Sequence, residues 1–136
     1  MPTIESVYTG ELRTEAKHSA SGKIIITDAP IDNLGRGEAF SPSDLLAASL
    51  GSCMLTLMGI SAKGREINID GTKISITKIM AANPRRVAEI VIVFDMPDQT
   101  YSPEQKSILE YAALNCPVAK SIHPDIIQNI TFNYKD

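Results

Sequence analysis

The 136-residue sequence contains no tryptophan, only two cysteines and no excess of positive charge. Two cysteines are too few for a scaffold held together by disulfides. With 13 Lys and Arg residues against 16 Asp and Glu, the net charge of -3 offers no electrostatic footprint for a nucleic acid or an anionic membrane surface. We therefore expect this protein to bind neither nucleic acid nor a membrane. No linker or repeat divides the chain, so residues 1–136 are expected to form a single domain.

Both cysteines stand outside any Cys-x-x-Cys pair. The first residues, MPTIESVYTGEL, lack a basic region followed by an apolar run, so no secretory signal is expected. We therefore expect a cytoplasmic protein, in which a permanent structural disulfide is unfavourable. Two free thiols in such a compartment suggest redox chemistry.

Short apolar and alternating segments predict strands on both sides of a central helix. Residues 3–18 and 23–28, separated by a Ser-Ala-Ser-Gly turn, predict an N-terminal strand pair. Residues 73–82 and 87–96 predict a second hairpin around an Asn-Pro turn. The segment between the first pair and the helix, residues 29–40, has no periodicity and predicts an irregular loop that is long enough to be functional.

The signals of a helix start are clearest at Ser41. Its side chain can cap the helix, Pro42 suits the first helical position, and Asp44 completes an S-x-x-D capping box. The helix is expected to run to about Lys63, just before a glycine.

The last third of the chain repeats this pattern on a smaller scale. Ser-Pro-Glu-Gln at 102–105 is a second capping box and predicts a helix up to Asn115. A short further helix is expected from Pro117 to about His123, and residues 126–135 alternate as a final strand.

The long first helix is apolar on every face, because no charged residue lies between residues 45 and 62. A membrane span is one interpretation, since the stretch reaches the lower limit of length for crossing a bilayer. We favour a core helix, because six small or polar residues dilute its hydrophobicity: Ser49, Gly51, Ser52, Thr56, Gly59 and Ser61. Such a helix must be covered all round, and a second copy could supply part of the cover, so we expect a homodimer.

The two cysteines differ in their local setting. Cys116 precedes Pro117 at a helix start, where free N–H groups and the helix dipole are expected to lower the pKa of the thiol. The alternative is that Cys116 is a small buried hydrophobe. Cys53 lies deep inside its helix, where an apolar setting would make it inert, so a reactive Cys53 would need a cation brought to it.

Two arginines are candidates for that cation. Arg36 is preferred, because its loop leads directly into the cysteine helix, and Arg13 on an N-terminal strand is the second choice. Arg36 could instead be a solvated surface residue. Glu38 could orient such an arginine, whereas Asp44 is explained by its capping role.

A metal site is a further alternative. Cys53, Cys116, His18 and His123 could in principle provide four ligands, but their spacing does not resemble a structural zinc pattern. No metal and no cofactor are expected.

Two motifs resemble those of the OsmC/Ohr family, the osmotically induced protein C and organic hydroperoxide resistance proteins. They are Ser41-Pro42-x-x-Leu45-Leu46-Ala47-Ala48 leading to Gly51-Ser52-Cys53, and Asn115-Cys116-Pro117-Val118. The order of strands and helices matches over nearly the whole chain. The resemblance implies an α+β OsmC-like fold, in which antiparallel sheets pack on a long central apolar helix in an intertwined homodimer.

The resemblance also implies roles for individual residues. Cys53 would be the peroxidatic thiol, which attacks a small organic hydroperoxide and becomes a sulfenic acid. Cys116 would resolve it to a disulfide, which a dithiol such as a lipoyl group then opens. Arg36 would stabilise the thiolate. Ser43 stands where the family's peroxidases commonly carry glutamate, which favours the OsmC-like branch over a dedicated hydroperoxide resistance enzyme.

A function from another class uses the same features. A non-catalytic dimer could bind a small hydrophobic ligand in the apolar pocket, with its cysteines serving as core residues or as a redox sensor. Rapid loss of both thiols on treatment with an organic hydroperoxide would distinguish the peroxidase from this binding protein.

Overall fold

A computed structural model describes residues 1–135 as a mixed α+β structure with two three-stranded sheets and one long helix. The strands are β1 (Ile4–Gly10), β2 (Arg13–His18), β3 (Ile24–Asp28), β4 (Lys73–Ala81), β5 (Arg86–Asp95) and β6 (Ile127–Asn133). The helices are α1 (Pro42–Ala62), α2 (Pro103–Leu114) and α3 (Pro117–Ser121), with a 3-10 turn at Ile31–Asn33. The chain divides into two units, Met1–Leu46 and the residues from Ala47 onward.

The sheet of the first unit is antiparallel, in the order β1-β2-β3. The prediction of one strand over residues 3–18 is wrong, because the chain reverses at Glu11 and Leu12. These residues adopt the left-handed conformation, with φ of 55° and 63°. Non-glycine residues rarely do so, which is why the sequence did not indicate a turn there.

The connection from β3 to α1 is irregular, as predicted, except for the 3-10 turn. Its end is held to β3 by a bridge between Thr27 and Phe40. The predicted capping box at the start of α1 is confirmed. The Asp44 N–H donates to Ser41 Oγ at 3.0 Å, and the Ser41 N–H donates to Asp44 Oδ2 at 3.0 Å.

The sheet of the second unit has the order β4-β5-β6. The predicted hairpin of β4 and β5 is confirmed, and both strands are antiparallel. Strand β6 runs parallel to β5, because α2 and α3 lie between them in the chain and return it to the starting edge. Phe94 and Phe132 stack across this parallel pair with ring centroids 4.6 Å apart.

Helix α1 buries one side, which consists of Ala47, Leu50, Gly51, Met54, Met58 and Ala62. A Cβ atom at Gly51 would lie within 3 Å of the Ile74 and Ile76 side chains, so the helix lies close against β4 here. A single chain does not cover α1 all round, so cover by a second copy stays a prediction. Ser49, Ser52, Thr56 and Ile60 are exposed on its other side. By length and composition alone α1 could cross a membrane, a property shared by core helices of soluble proteins.

Helix α2 begins as predicted. The Gln105 N–H donates to Ser102 Oγ at 3.1 Å, and the Ser102 N–H donates to Gln105 Oε1 at 2.9 Å. The helix ends at Leu114, and α3 begins two residues after Asn115, at Pro117. Cys116 therefore lies at the junction of the two helices, in an extended conformation that caps α3.

Candidate functional site

The second unit brings the two thiols together, although they are far apart in the sequence. Cys53 lies in the middle of α1 and is half-buried, whereas Cys116 is completely buried at the junction of α2 and α3. The Cys53 and Cys116 side chains lie close enough for each thiol to influence the other. Both cysteines are free thiols in this structure.

Burial decides the electrostatics of Cys116. Loss of solvent raises the pKa of its thiol, and the nearby Cys53 thiol raises it further. The backbone N–H groups of Val118 and Ala119 act in the opposite direction, as expected at a helix start, but they do not outweigh burial. The predicted lowering of the Cys116 pKa is therefore wrong. The reason is that α3 has only five residues and its start is desolvated.

The first unit brings together the two arginines named from the sequence. Arg13 Nε donates to Asp28 Oδ1 at 2.7 Å, and Arg13 Nη2 donates to Asp28 Oδ2 at 2.9 Å. Arg13 Nη2 also lies 3.2 Å from Glu38 Oε1. Arg36 forms an ion pair with Glu11, and its Nη1 lies 3.9 Å from Glu38 Oε1. Glu38 therefore lies between the two guanidinium groups.

The two arginines differ in how firmly they are held. The Arg13 side chain is 26% exposed and its main partner, Asp28, is completely buried. The Arg36 side chain is 39% exposed, and both of its carboxylate partners are largely exposed to solvent. Exposed ion pairs contribute little to stability, so Arg36 can exchange its partners more easily than Arg13 can.

Asp28 is the member of this cluster that the sequence analysis missed. It ends β3 directly after the apolar run Ile24-Ile25-Ile26-Thr27. The hydrogen bonds from Arg13 lower the pKa of the Asp28 carboxyl, so it is ionised at neutral pH. The sequence carries no local signal for this role, because Asp28 meets Arg13 only through the register of β2 and β3.

The cysteines and histidines considered as metal ligands do not form a cluster. His18 hydrogen-bonds Ser21 at 2.7 Å in the first unit, and His123 lies near Asp125 after α3. Within residues 1–135, no group of three or more His, Cys, Asp or Glu side chains is arranged to hold a metal ion.

Comparison with known proteins places these features in a family. The profile of the family described as OsmC-like protein matches residues 35–130. No match is found among curated proteins. A Psychrobacter arcticus structure, named for osmotic stress induction and a detoxification response, is 53% identical with a TM-score of 0.94. The match covers 98% of this chain and 96% of that one.

More distant structures share the fold. An OsmC-like protein from Mycoplasma pneumoniae is 18% identical with a TM-score of 0.81, and the match covers 98% of this chain and 96% of that one. A Legionella pneumophila protein named as organic hydroperoxide resistance protein OsmC is 15% identical with a TM-score of 0.75. That match covers 98% of both chains.

Proposed function

Because this chain belongs to the OsmC-like protein family, we propose that it is a thiol-dependent peroxidase that reduces organic hydroperoxides. The observation that carries the proposal is the closeness of the Cys53 and Cys116 thiols. The names of the relatives agree with it, since one is named for a detoxification response and another for organic hydroperoxide resistance. Helix α1 is then the core helix of a soluble family fold rather than a membrane span, in keeping with a cytoplasmic location.

In the first step, the Cys53 thiolate attacks the terminal oxygen of the hydroperoxide. The O–O bond breaks, the leaving alkoxide takes up a proton to become an alcohol, and Cys53 is oxidised to a sulfenic acid. Cys53 is suited to this role, because it is the more accessible of the two thiols. The apolar surface of α1 favours the alkyl part of such a substrate.

In the second step, Cys116 attacks the sulfenic sulfur. Its thiol proton and the sulfenic hydroxyl leave as water, and a disulfide joins the two cysteines. The raised pKa of Cys116 favours its protonated thiol at neutral pH. A dithiol such as a lipoyl group then donates two electrons and returns both cysteines to the thiol form.

The arginine cluster is the proposed source of the positive charge that Cys53 needs. Arg13 and Arg36 both carry planar guanidinium groups, which suit a thiolate and a peroxide oxygen equally well. Glu38 contacts both arginines and would keep them close together. The sequence favours Arg36 as the activating cation, but the buried ion pair of Arg13 with Asp28 favours Arg13 as the arginine with the fixed orientation that catalysis requires.

A homodimer is the proposed working form. The first unit leaves many large apolar side chains exposed, namely Ile4, Val7, Tyr8, Ile24, Ile25, Ile31, Leu34 and Phe40. A monomeric soluble protein rarely leaves so many large apolar side chains in water, and a second copy of the chain could cover them.

Stopped-flow oxidation of the reduced protein by cumene hydroperoxide tests the proposal. We expect fast loss of two titratable thiols per chain in the parent, and no fast reaction in Cys53→Ser. Cys116→Ser should still react once and accumulate a sulfenic acid that dimedone traps. If Cys53→Ser reacts as fast as the parent, the proposal is wrong.

A further inference from the structure

The Asp28 carboxylate accepts more hydrogen bonds than a simple ion pair with one arginine would provide. Its two oxygens accept hydrogen bonds from Arg13 Nε at 2.7 Å and from Arg13 Nη2 at 2.9 Å. Oδ2 also accepts the backbone N–H of Glu38 at 3.2 Å, and the Ala39 N–H is a further donor to the carboxylate. The Asp28 side chain is completely buried, so these donors replace the water that a carboxylate otherwise requires.

The main effect of the Arg13–Asp28 ion pair is to orient the guanidinium rather than to stabilise the fold. A buried ion pair contributes little net stability compared with apolar side chains of similar size, because both charges must be desolvated. However, a carboxylate that binds a guanidinium through both of its oxygens fixes the plane and direction of that group. Nε and Nη2 of Arg13 are both held by carboxylates, so the orientation of the guanidinium is set by Asp28 and Glu38.

The same carboxylate also holds the chain that carries the second arginine. Glu38 and Ala39 follow Arg36 after one intervening residue, Gly37, and their N–H groups donate to Asp28. The Asp28 N–H in turn donates to the Phe40 carbonyl at 3.0 Å. Glu38, Ala39 and Phe40 are therefore each hydrogen-bonded to Asp28.

We propose that Asp28 is a positioning residue that fixes the guanidinium of Arg13 and ties the segment carrying Arg36 and Glu38 to the end of β3. The proposal rests on the proposed function, in which these arginines activate Cys53. Asp28 does not touch the substrate in this scheme, and it acts through Arg13.

A double-mutant cycle on the rate of thiol oxidation tests whether Asp28 acts through Arg13. We expect Asp28→Asn to slow oxidation by cumene hydroperoxide about tenfold, as is common when the partner that orients a functional side chain is removed. In an Arg13→Ala background, Asp28→Asn should cause little further loss. Asp98→Asn, which removes an exposed carboxylate from a loop of the second unit, is the matched control and should react like the parent.

Hydrogen exchange provides a readout that does not depend on peroxidase activity. Asp28→Asn should speed amide exchange in the peptide covering residues 36–40, because the Glu38 and Ala39 N–H groups lose a charged acceptor. Exchange in the α2 peptide should not change, which separates a local effect from general unfolding.

The outcomes separate the two claims. If the parent is oxidised rapidly and Asp28→Asn slows the Arg13→Ala variant as much as it slows the parent, the positioning role is wrong while the peroxidase stands. If the parent is not oxidised at all, the proposed function fails, and unchanged exchange at residues 36–40 would overturn the positioning role independently.

Discussion

The two cysteines show how strongly environment controls the chemistry of identical side chains. Cys53 is half-buried in the middle of a long helix, and Cys116 is completely buried beside a proline. The helix start at Cys116 favours a thiolate, but burial is the larger influence and raises the pKa. Reactivity towards external reagents should therefore differ sharply between the two thiols.

Alkylation of the reduced protein measures this difference. We expect iodoacetamide to label Cys53 well before Cys116 at neutral pH, because Cys116 is inaccessible and its raised pKa keeps it protonated. Labelling of Cys116 should rise only at pH values above the ordinary thiol range. Peptide mass spectrometry over a time course gives both rates, and faster labelling of Cys116 would contradict the assignment of roles.

The pH dependence of stability follows from Asp28. Because Arg13 lowers the folded-state pKa of Asp28, its stabilising contribution is complete above the unfolded-state pKa of about 3.9 and is lost as the pH falls through the lower folded-state value. The difference in the free energy of unfolding between the parent and Asp28→Asn should therefore be constant near neutral pH and shrink below about pH 4. Urea unfolding at a series of pH values measures it. A difference that grows on acidification would be inconsistent with the ion pair.

At the scale of elements, helix α1 shows that two glycines in one helix serve different purposes. A Cβ at Gly51 would lie 2.7 Å from Ile76 Cδ1 and 2.8 Å from Ile74 Cδ1, so the missing side chain allows close approach to β4. A Cβ at Gly59 would have no atom within 4 Å. Close packing against β4 therefore requires a glycine at position 51, whereas the space around Gly59 would accept a side chain.

These two sites give a matched pair of substitutions. Gly59→Ala should raise the free energy of unfolding by about 1 kcal/mol, because alanine favours the helix over glycine by that amount. Gly51→Ala gains the same helix propensity, but it must displace two isoleucine methyl groups and should be neutral or destabilising. Urea unfolding compares the two directly. Equal stabilisation by both substitutions would contradict the close contact between α1 and β4.

The elements also show what the sequence can predict. Both long helices start where Ser41 and Ser102 indicated, because a capping box involves only residues three apart. The sequence pattern does not predict the reversal at Glu11 and Leu12, although Gly10 with a φ of 99° directly precedes it, because both central residues are non-glycine. The pairing of Arg13 with Asp28 depends on the register of β2 and β3, which separates the two residues by 15 positions in the chain and has no local signal.

On the scale of the whole molecule, the exposed apolar surface of the first unit is the main feature that a single chain leaves unexplained. We expect the protein to be a dimer in solution at micromolar concentration. Ile25→Lys, which places a charge on an exposed apolar position of β3, should weaken the dimer. Thr131→Lys, on an exposed position of β6, is the control and should not. Light scattering after size-exclusion chromatography measures the mass, and a monomeric parent would contradict the expectation.

The parallel pairing of β6 with β5 is likewise a property of the whole chain. The alternating pattern of residues 126–135 predicted a strand, but the direction of its pairing depends on the crossover through α2 and α3. The same crossover sets Cys116 beside Cys53. The nearness of the two thiols therefore could not be worked out from either local motif.

The central claim is that Cys53 and Cys116 form one redox pair within a single chain. Mass spectrometry of the protein after brief exposure to cumene hydroperoxide, alkylated under denaturing conditions and digested without reductant, tests it most directly. Before digestion, the account predicts an unreduced mass of a single chain, lower by two hydrogen atoms than that of the reduced chain. After digestion, it predicts a peptide pair linked through Cys53 and Cys116 that is absent in either Cys→Ser variant. Recovery of both cysteines as alkylated thiols, or a disulfide that joins two chains, would contradict it.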